Sequence, residues 1–245
     1  MPADGLWLYG VTRAANRLET PGVAGETPRT VTAAGLTATV GDVPLDLFGA
    51  DALQRDLEDL DWLAAVARAH DAVIVALAEQ GPVAPVRLAT VYRDDESVRS
   101  AVEARSGQFS RTLDRVSGRT EWGVKAFLTA APDPPAPAAS SGVAYLTRRR
   151  NALAARETRH QQASDEVRRL HLALCELSAE SRTHAPQSRA LTADDRPMVL
   201  NAAYLVDNRE SARFADTVAQ WRSQALAVQL TGPWPPYSFS ALDEQ

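Results

Sequence analysis

A single cysteine, Cys175, serves the whole chain of 245 residues. No intrachain disulfide can form, so folding rests on packing, and a reducing compartment is the expected setting. Lysine is nearly absent too: of the 26 Lys and Arg residues, only Lys125 is a lysine. No apolar run approaches the ~20 residues that a spanning helix needs, and the N-terminus lacks a basic patch followed by an apolar stretch. Membrane insertion and a signal peptide are therefore not expected, and a cytoplasmic location follows by default. The net charge of −5 argues against a nucleic-acid partner, because such binding depends on neutralising phosphates. Glycine-rich phosphate loops and a Gly-x-Ser-x-Gly elbow are missing. The histidines are His70, His160, His171 and His184, and no two stand at the i, i+4 spacing of a helical zinc site.

What is present is the composition of a folded protein: 45% hydrophobic against 23% charged residues, in a length that suits one large domain or two ordinary ones. Residues 6–11 form an apolar, aromatic run that predicts a first strand. Residues 30–40, β-branched on both sides of Gly35, predict two short strands joined by a turn, with the sheet segment ending over 41–44. Leu53, Leu57 and Leu60 recur at helical spacing. Asp59 or Asp61 then caps a second helix whose buried face is Trp62, Val66, Val73 and Leu77. Residues 83–92 read as a strand interrupted by Pro85, which places it at an edge or a bulge. Asp94, Asp95 and Glu96 stand at a helix start, where the macrodipole favours carboxylates, and Val98, Val102, Phe109, Leu113 and Val116 follow as apolar positions.

A strand is predicted over 122–128, then a proline-rich linker over 130–141, with Pro132, Pro134, Pro135 and Pro137. A long helix opens the C-terminal half, from about 143 to about 181. Val167, Leu170, Leu174 and Leu177 give its second half a buried face, whereas residues 157–162 are polar all round and belong in solvent or against a partner. Strands are predicted over 184–191, 198–206 and 226–230, with a helix capped by Asn208 and burying Phe214, Val218, Trp221 and Ala225 between the last two. The fold class is therefore α+β, in two domains: residues 1–119, and residues 120–245 with strands and helices in the split βαβ order of ferredoxin-like folds.

No constellation reads as catalytic, and no cofactor or metal is expected. His171 and Cys175 share a helix face at i, i+4, a spacing that suits a metal or an activated thiol; a small buried hydrophobe is the simpler account of Cys175. Capping and solubility account for the carboxylates at 56–61 and 94–96. Arg148-Arg149-Arg150 reads as a solvated face, with an acidic protein partner second. Arg87 and Arg93 bracket the Pro85 strand and are placed to pair with the carboxylates after them.

The closing stretch, Gly232-Pro233-Trp234-Pro235-Pro236-Tyr237-Ser238-Phe239, is stiff. Its prolines fix φ and hold their neighbours extended, close to polyproline II, so Trp234 and Tyr237 project from one edge. A rod of this kind is either clamped onto the chain's own body or offered to another protein.

This tail resembles that of the gas vesicle protein GvpF/GvpL family. So do, in order, Leu8-Tyr9-Gly10-Val11, Asp59-Leu60-Asp61-Trp62-Leu63, Ala69-His70-Asp71-Ala72-Val73 and Pro82-Val83-Ala84-Pro85-Val86-Arg87. Val91-Tyr92-Arg93-Asp94-Asp95, Glu121-Trp122-Gly123-Val124-Lys125 and Leu200-Asn201-Ala202-Ala203-Tyr204-Leu205-Val206 complete the likeness. The resemblance implies a non-catalytic accessory protein of gas vesicle assembly, located at the gas vesicle or in the cytoplasm. Its implied partners are the very hydrophobic structural subunit, met by the N-terminal domain, and other vesicle accessory proteins. The expected partner-binding residues are Arg87, Tyr92, Arg93, Trp234 and Tyr237, and the expected surfaces are the 83–92 edge, the exposed middle of the long helix and the tail. The alternative is a small-molecule-binding regulatory module built on a ferredoxin-like domain.

Overall fold

Strand β1 (Asp4–Thr12) is the axis of the first sheet and is buried over nearly its whole length. It pairs antiparallel with β3 (Leu36–Pro44) on one side, and on the other with two short strands, β4 (Ala84–Pro85) and β5 (Val91–Tyr92). Strand β2 (Arg29–Ala33) completes the sheet beyond β3. The computed structural model of the chain describes residues 4–14, 17–50, 52, 54, 59–129, 142–186, 196–221, 223 and 225–240. The proline-rich linker and the helix expected around Leu53 and Leu57 lie outside them.

Side chains alternate across a strand, so an unbroken β1 would send Trp7, Tyr9 and Val11 to one face. A bulge between Leu8 and Gly10 shifts that parity. Leu6, Leu8 and Val11 therefore join one core, with Val98, Val102, Phe109 and Leu113, while Trp7 and Tyr9 join the other, with Val66, Val73, Ile74 and Leu77. Helices α1 (Leu45–Phe48) and α2 (Leu60–Gln80) supply one layer, and α3 (Asp95–Ala104) and α4 (Ser106–Val116) the other. Burial on both faces explains why residues 6–11 are continuously apolar.

Local signals place the boundaries. The β2–β3 hairpin turns through Ala34 (φ 50°) and Gly35 (φ 73°), two positive-φ residues, as a two-residue turn matched to strand twist requires. Asp59, not Asp61, caps α2, accepting from the backbone N–H groups of Asp61 and Trp62. Asp94 caps α3 through Ser97. The sheet segment ends at Pro44, the last residue of β3, opposite Asp4, so residues 41–44 still belong to the strand.

The chain forms two compact units: Met1–Glu121 with Pro233–Gln245, and Trp122–Gly232. The sequence placed the whole tail with the C-terminal half; from Pro233 onward it groups with the first unit.

In the second unit, β6 (Arg119–Leu128), β7 (Glu180–Thr183), β8 (Met198–Asp207) and β9 (Leu226–Trp234) form a sheet of order β7-β8-β6-β9. Pairing with β8 begins at Glu180, because helix α5 (Gly142–Cys175) stops at Cys175, before the expected 181; of the strand expected over 184–191, residues 187–191 lie outside the described ones, and 184–186 follow the end of β7. Leu170 and Leu174 of α5 and Phe214 and Val218 of α6 (Ser211–Gln220) pack with Trp122, Val124 and Tyr204. A 3-10 turn, Asn208–Glu210, precedes α6, so Asn208 is not its cap, and Ala225 lies beyond its end. The α+β class holds, with two sheets and helices packed on each.

Candidate functional site

The tail is not a polyproline rod. Strand β9 runs through Trp234, and after Pro235 and Pro236 the backbone turns into a helical segment, α7 (Tyr237–Ser240). Gly232, within β9, sits at φ 110°, a backbone region that glycine alone adopts readily. The turn is closed locally: the Tyr237 N–H donates to the Pro235 carbonyl at 2.8 Å, and the Ser240 hydroxyl to that of Pro236 at 2.6 Å.

Each residue of this turn has a partner in the first unit. Phe239 is fully buried, and α7 packs against β4 and α4. Ser238 donates its backbone N–H and its hydroxyl to the Glu121 carboxylate, at 2.7 and 2.6 Å. The Tyr237 hydroxyl donates to Asp71 at 2.7 Å, and the Arg115 guanidinium donates to the Phe239 carbonyl. Burial, reinforced by the bond to the Asp71 carboxylate, pushes the Tyr237 hydroxyl well above the ordinary tyrosine range. Trp234 remains 46% exposed.

Beneath the turn, β1 and α2 share a polar cluster. The Trp7 indole N–H, which can only donate, is 2.9 Å from His70 Nδ1, so Nδ1 is the acceptor and Nε2 carries the proton. Nε2 then donates to the Val86 carbonyl at 3.3 Å. The neutral imidazole is satisfied at both nitrogens. Burial pushes its pKa down to about 4, with the Val86 carbonyl opposing the shift. Tyr9 stacks on His70, donates to Glu26 at 2.5 Å and accepts from the Val23 N–H. The Glu26 carboxylate occupies the space that a Cβ on Gly22 or Gly41 would take. Burial raises the Tyr9 hydroxyl.

Of the expected partner-binding residues, three share one segment. Arg87 and Arg93 are exposed, and Tyr92 in β5 is half-buried, packed on the core beside Val86. Tyr237 is docked through its hydroxyl, and Trp234 is exposed. The 83–92 segment is a sheet edge, as Pro85 suggested, but Ala84 and Pro85 are buried and α7 packs on β4, so this stretch does not present an open edge. Among the carboxylates after it, Asp95 meets Arg29 at 2.7 Å and Arg99 at 3.6 Å, and Glu96 meets Arg99. Ser97 hydrogen bonds lower the Asp94 carboxyl, with a smaller contribution from the Arg93 charge.

Cys175 is half-buried, not a sealed hydrophobe: its Sγ lies 3.3 Å from Ser181 Oγ and 3.6 Å from His171 Nε2. His171 Nδ1 is in turn 2.7 Å from the Tyr204 hydroxyl. Among the described residues no three His, Cys, Asp or Glu side chains gather as a metal site, and no helix is long and apolar enough to cross a membrane.

Sequence reasoning named neither Phe239 as the tail's anchor nor Glu121, Asp71 and Arg115 as its receptors. The one signal available was Glu121, a carboxylate directly before the apolar Trp122 in β6.

The pattern of the gas vesicle synthesis protein GvpL/GvpF family matches residues 5–241. The chain belongs to the GvpL/GvpF family. It is 41% identical to gas vesicle protein L of Streptomyces sp. (strain CB03234), over 98% of this chain and 94% of that protein. Gas vesicle protein F2 of Halobacterium salinarum is 24% identical over 98% of this chain and 93% of its own length. The crystal structure of GvpF from Microcystis aeruginosa shares the fold, with a TM-score of 0.68 at 19% identity, covering 97% of this chain and 99% of that one. GvpF from Anabaena sp. PCC7120 matches with a TM-score of 0.65 at 20% identity, covering 98% of each chain. Membership of GvpL/GvpF assigns the protein to gas vesicle formation, as an accessory protein associated with gas vesicles. Five of the stretches that carried the resemblance meet in the first unit: Tyr9 on His70, His70 on Val86, Asp71 on Tyr237 and Glu121 on Ser238.

Proposed function

We propose that this GvpL/GvpF protein is a non-catalytic assembly factor that binds the hydrophobic structural subunit of the vesicle through its first unit, and other vesicle accessory proteins besides. The observation that carries the reading is the use made of the perturbed groups. Tyr9, His70 and Tyr237, three groups of this unit whose environments shift their proton affinities, are each held in hydrogen bonds that join one chain segment to another. They act as fasteners of a surface; an enzyme would aim such groups at a substrate.

An apolar client that exposes strand edges until it polymerises needs shielding by a shaped surface. Trp234 is the more exposed of the two outward aromatics of the tail, 46% against 36% for Tyr237, and Arg87 and Arg93 are exposed cations on the 83–92 segment. Tyr92 and Tyr237, half-buried and hydrogen-bonded respectively, support that surface more than they extend it. With β4 covered by α7, side chains rather than an open strand edge make the contact.

Capture of the co-expressed structural subunit tests this. Trp234→Ala and the double change Arg87→Glu with Arg93→Glu are expected to lower capture by at least about tenfold while lowering the melting temperature by no more than a few degrees. Undiminished capture in both variants would overturn the assignment of these residues. Undetectable capture by the unmodified protein would overturn the assignment of the partner.

A further inference from the structure

Every described side chain over residues 143–162, the first part of α5, is exposed, and burial begins only at Ala163. At 1.5 Å per residue this is about 30 Å of helix on which none of the described side chains is packed. An isolated helix of this length is marginal in water, and most helical stability in proteins comes from packing. Yet the stretch is not uniformly polar. Val143, Leu146 and Leu153 are 77%, 65% and 59% exposed and, with Arg150, stand at i, i+3, i+7 and i+10.

We infer that this stripe is the docking seam for an acidic amphipathic helix of another protein, which pairs with it as a short two-stranded coiled coil. Three features select that occupant. The stripe is narrow: Thr147, Asn151, Ala154 and Thr158 border it on one side and Arg149 on the other, giving the a/d seam of a coiled coil rather than the broad apolar face of a membrane-surface helix. The stretch is basic: residues 143–162 include five arginines against one acid, Glu157, in a chain of net charge −5, and Arg149 and Arg150 stand beside and within the seam. Arg149 takes a flanking position of the heptad, where an opposite charge on the partner sets the choice of helix. The same charge disfavours a second copy, because two such helices would repel. The surface belongs to the second unit and does not depend on which residues of the first meet the shell subunit.

The test uses the full chain and a labelled synthetic peptide of three heptads, with Leu at a and d and Glu at e and g, followed by fluorescence anisotropy. A matched peptide with Lys at e and g and vesicles of phosphatidylglycerol are the comparisons. The Glu peptide is expected to bind and the Lys peptide not. Leu146→Ser with Leu153→Ser is expected to weaken binding at least about tenfold with an unchanged melting curve, since both side chains are exposed. Arg149→Glu with Arg150→Glu is expected to transfer preference to the Lys peptide, a gain that misfolding cannot mimic. Equal binding of both peptides, no binding of either, indifference to the leucine changes, or attachment to the vesicles alone would each overturn the inference.

Discussion

Ser238 gives both its backbone N–H and its hydroxyl to the carboxylate of Glu121, across 117 positions of sequence. Two donors on one buried acid fix the direction of the tail as well as its position. Charge-assisted bonds of this kind are stronger than neutral ones, and removing one partner leaves the other desolvated.

The weight of the docked tail rests on Phe239, not on the tryptophan that dominates its sequence. Phe239→Ala is expected to cost ~3–5 kcal/mol, the range for a fully buried aromatic. Trp234→Ala, at a side chain left 46% exposed, is expected to cost less than about 1 kcal/mol. Chemical denaturation of both variants checks this, and equal losses would contradict the docking.

Alkali should loosen the tail. Tyr237 holds its proton more tightly folded than unfolded, so its contribution to stability is complete below the ordinary tyrosine pKa of about 10 and is lost as pH rises above it. Tyr9 and Tyr204 carry the same sign. Denaturation curves between about pH 8 and 11 should therefore fall with pH, and Tyr237→Phe should remove the tail's share of the slope.

Acid acts through a different group. His70 binds its proton less readily folded than unfolded, so the stability it contributes is present above pH 6.5 and is lost as pH falls toward 4. A shift of this size corresponds to roughly 3 kcal/mol. His70→Gln cannot titrate, and its stability profile should be flatter between these values, although lower throughout because the Trp7 and Val86 bonds are disturbed. An unchanged profile would refute the assignment.

The β2–β3 turn holds Ala34 at φ 50°, a conformation that costs an L-residue roughly 1 kcal/mol and glycine little. Ala34→Gly should raise stability by a few tenths to about 1 kcal/mol, net of the greater freedom of the unfolded chain, as read from the denaturation midpoint. A loss would mean that the turn is not strained.

The sequence by itself determined the α+β class, the hairpin at Gly35, the place where α2 starts and the exposed polar stretch of α5, because periodicity, helix starts and turns are local and each is written in a few adjacent residues. It also carried the family, through short motifs whose purpose it did not reveal. Only the tertiary structure decided that purpose. The bulge in β1, the neutral tautomer of His70 and the reach of Ser238 to Glu121 all depend on groups far apart in sequence. The tail shows the difference most directly. Its prolines argue for a rod, and a local argument must accept them, but burying Phe239 and pairing Ser238 in the first unit outweigh the extended preference and turn the chain after Pro236 into a helical segment.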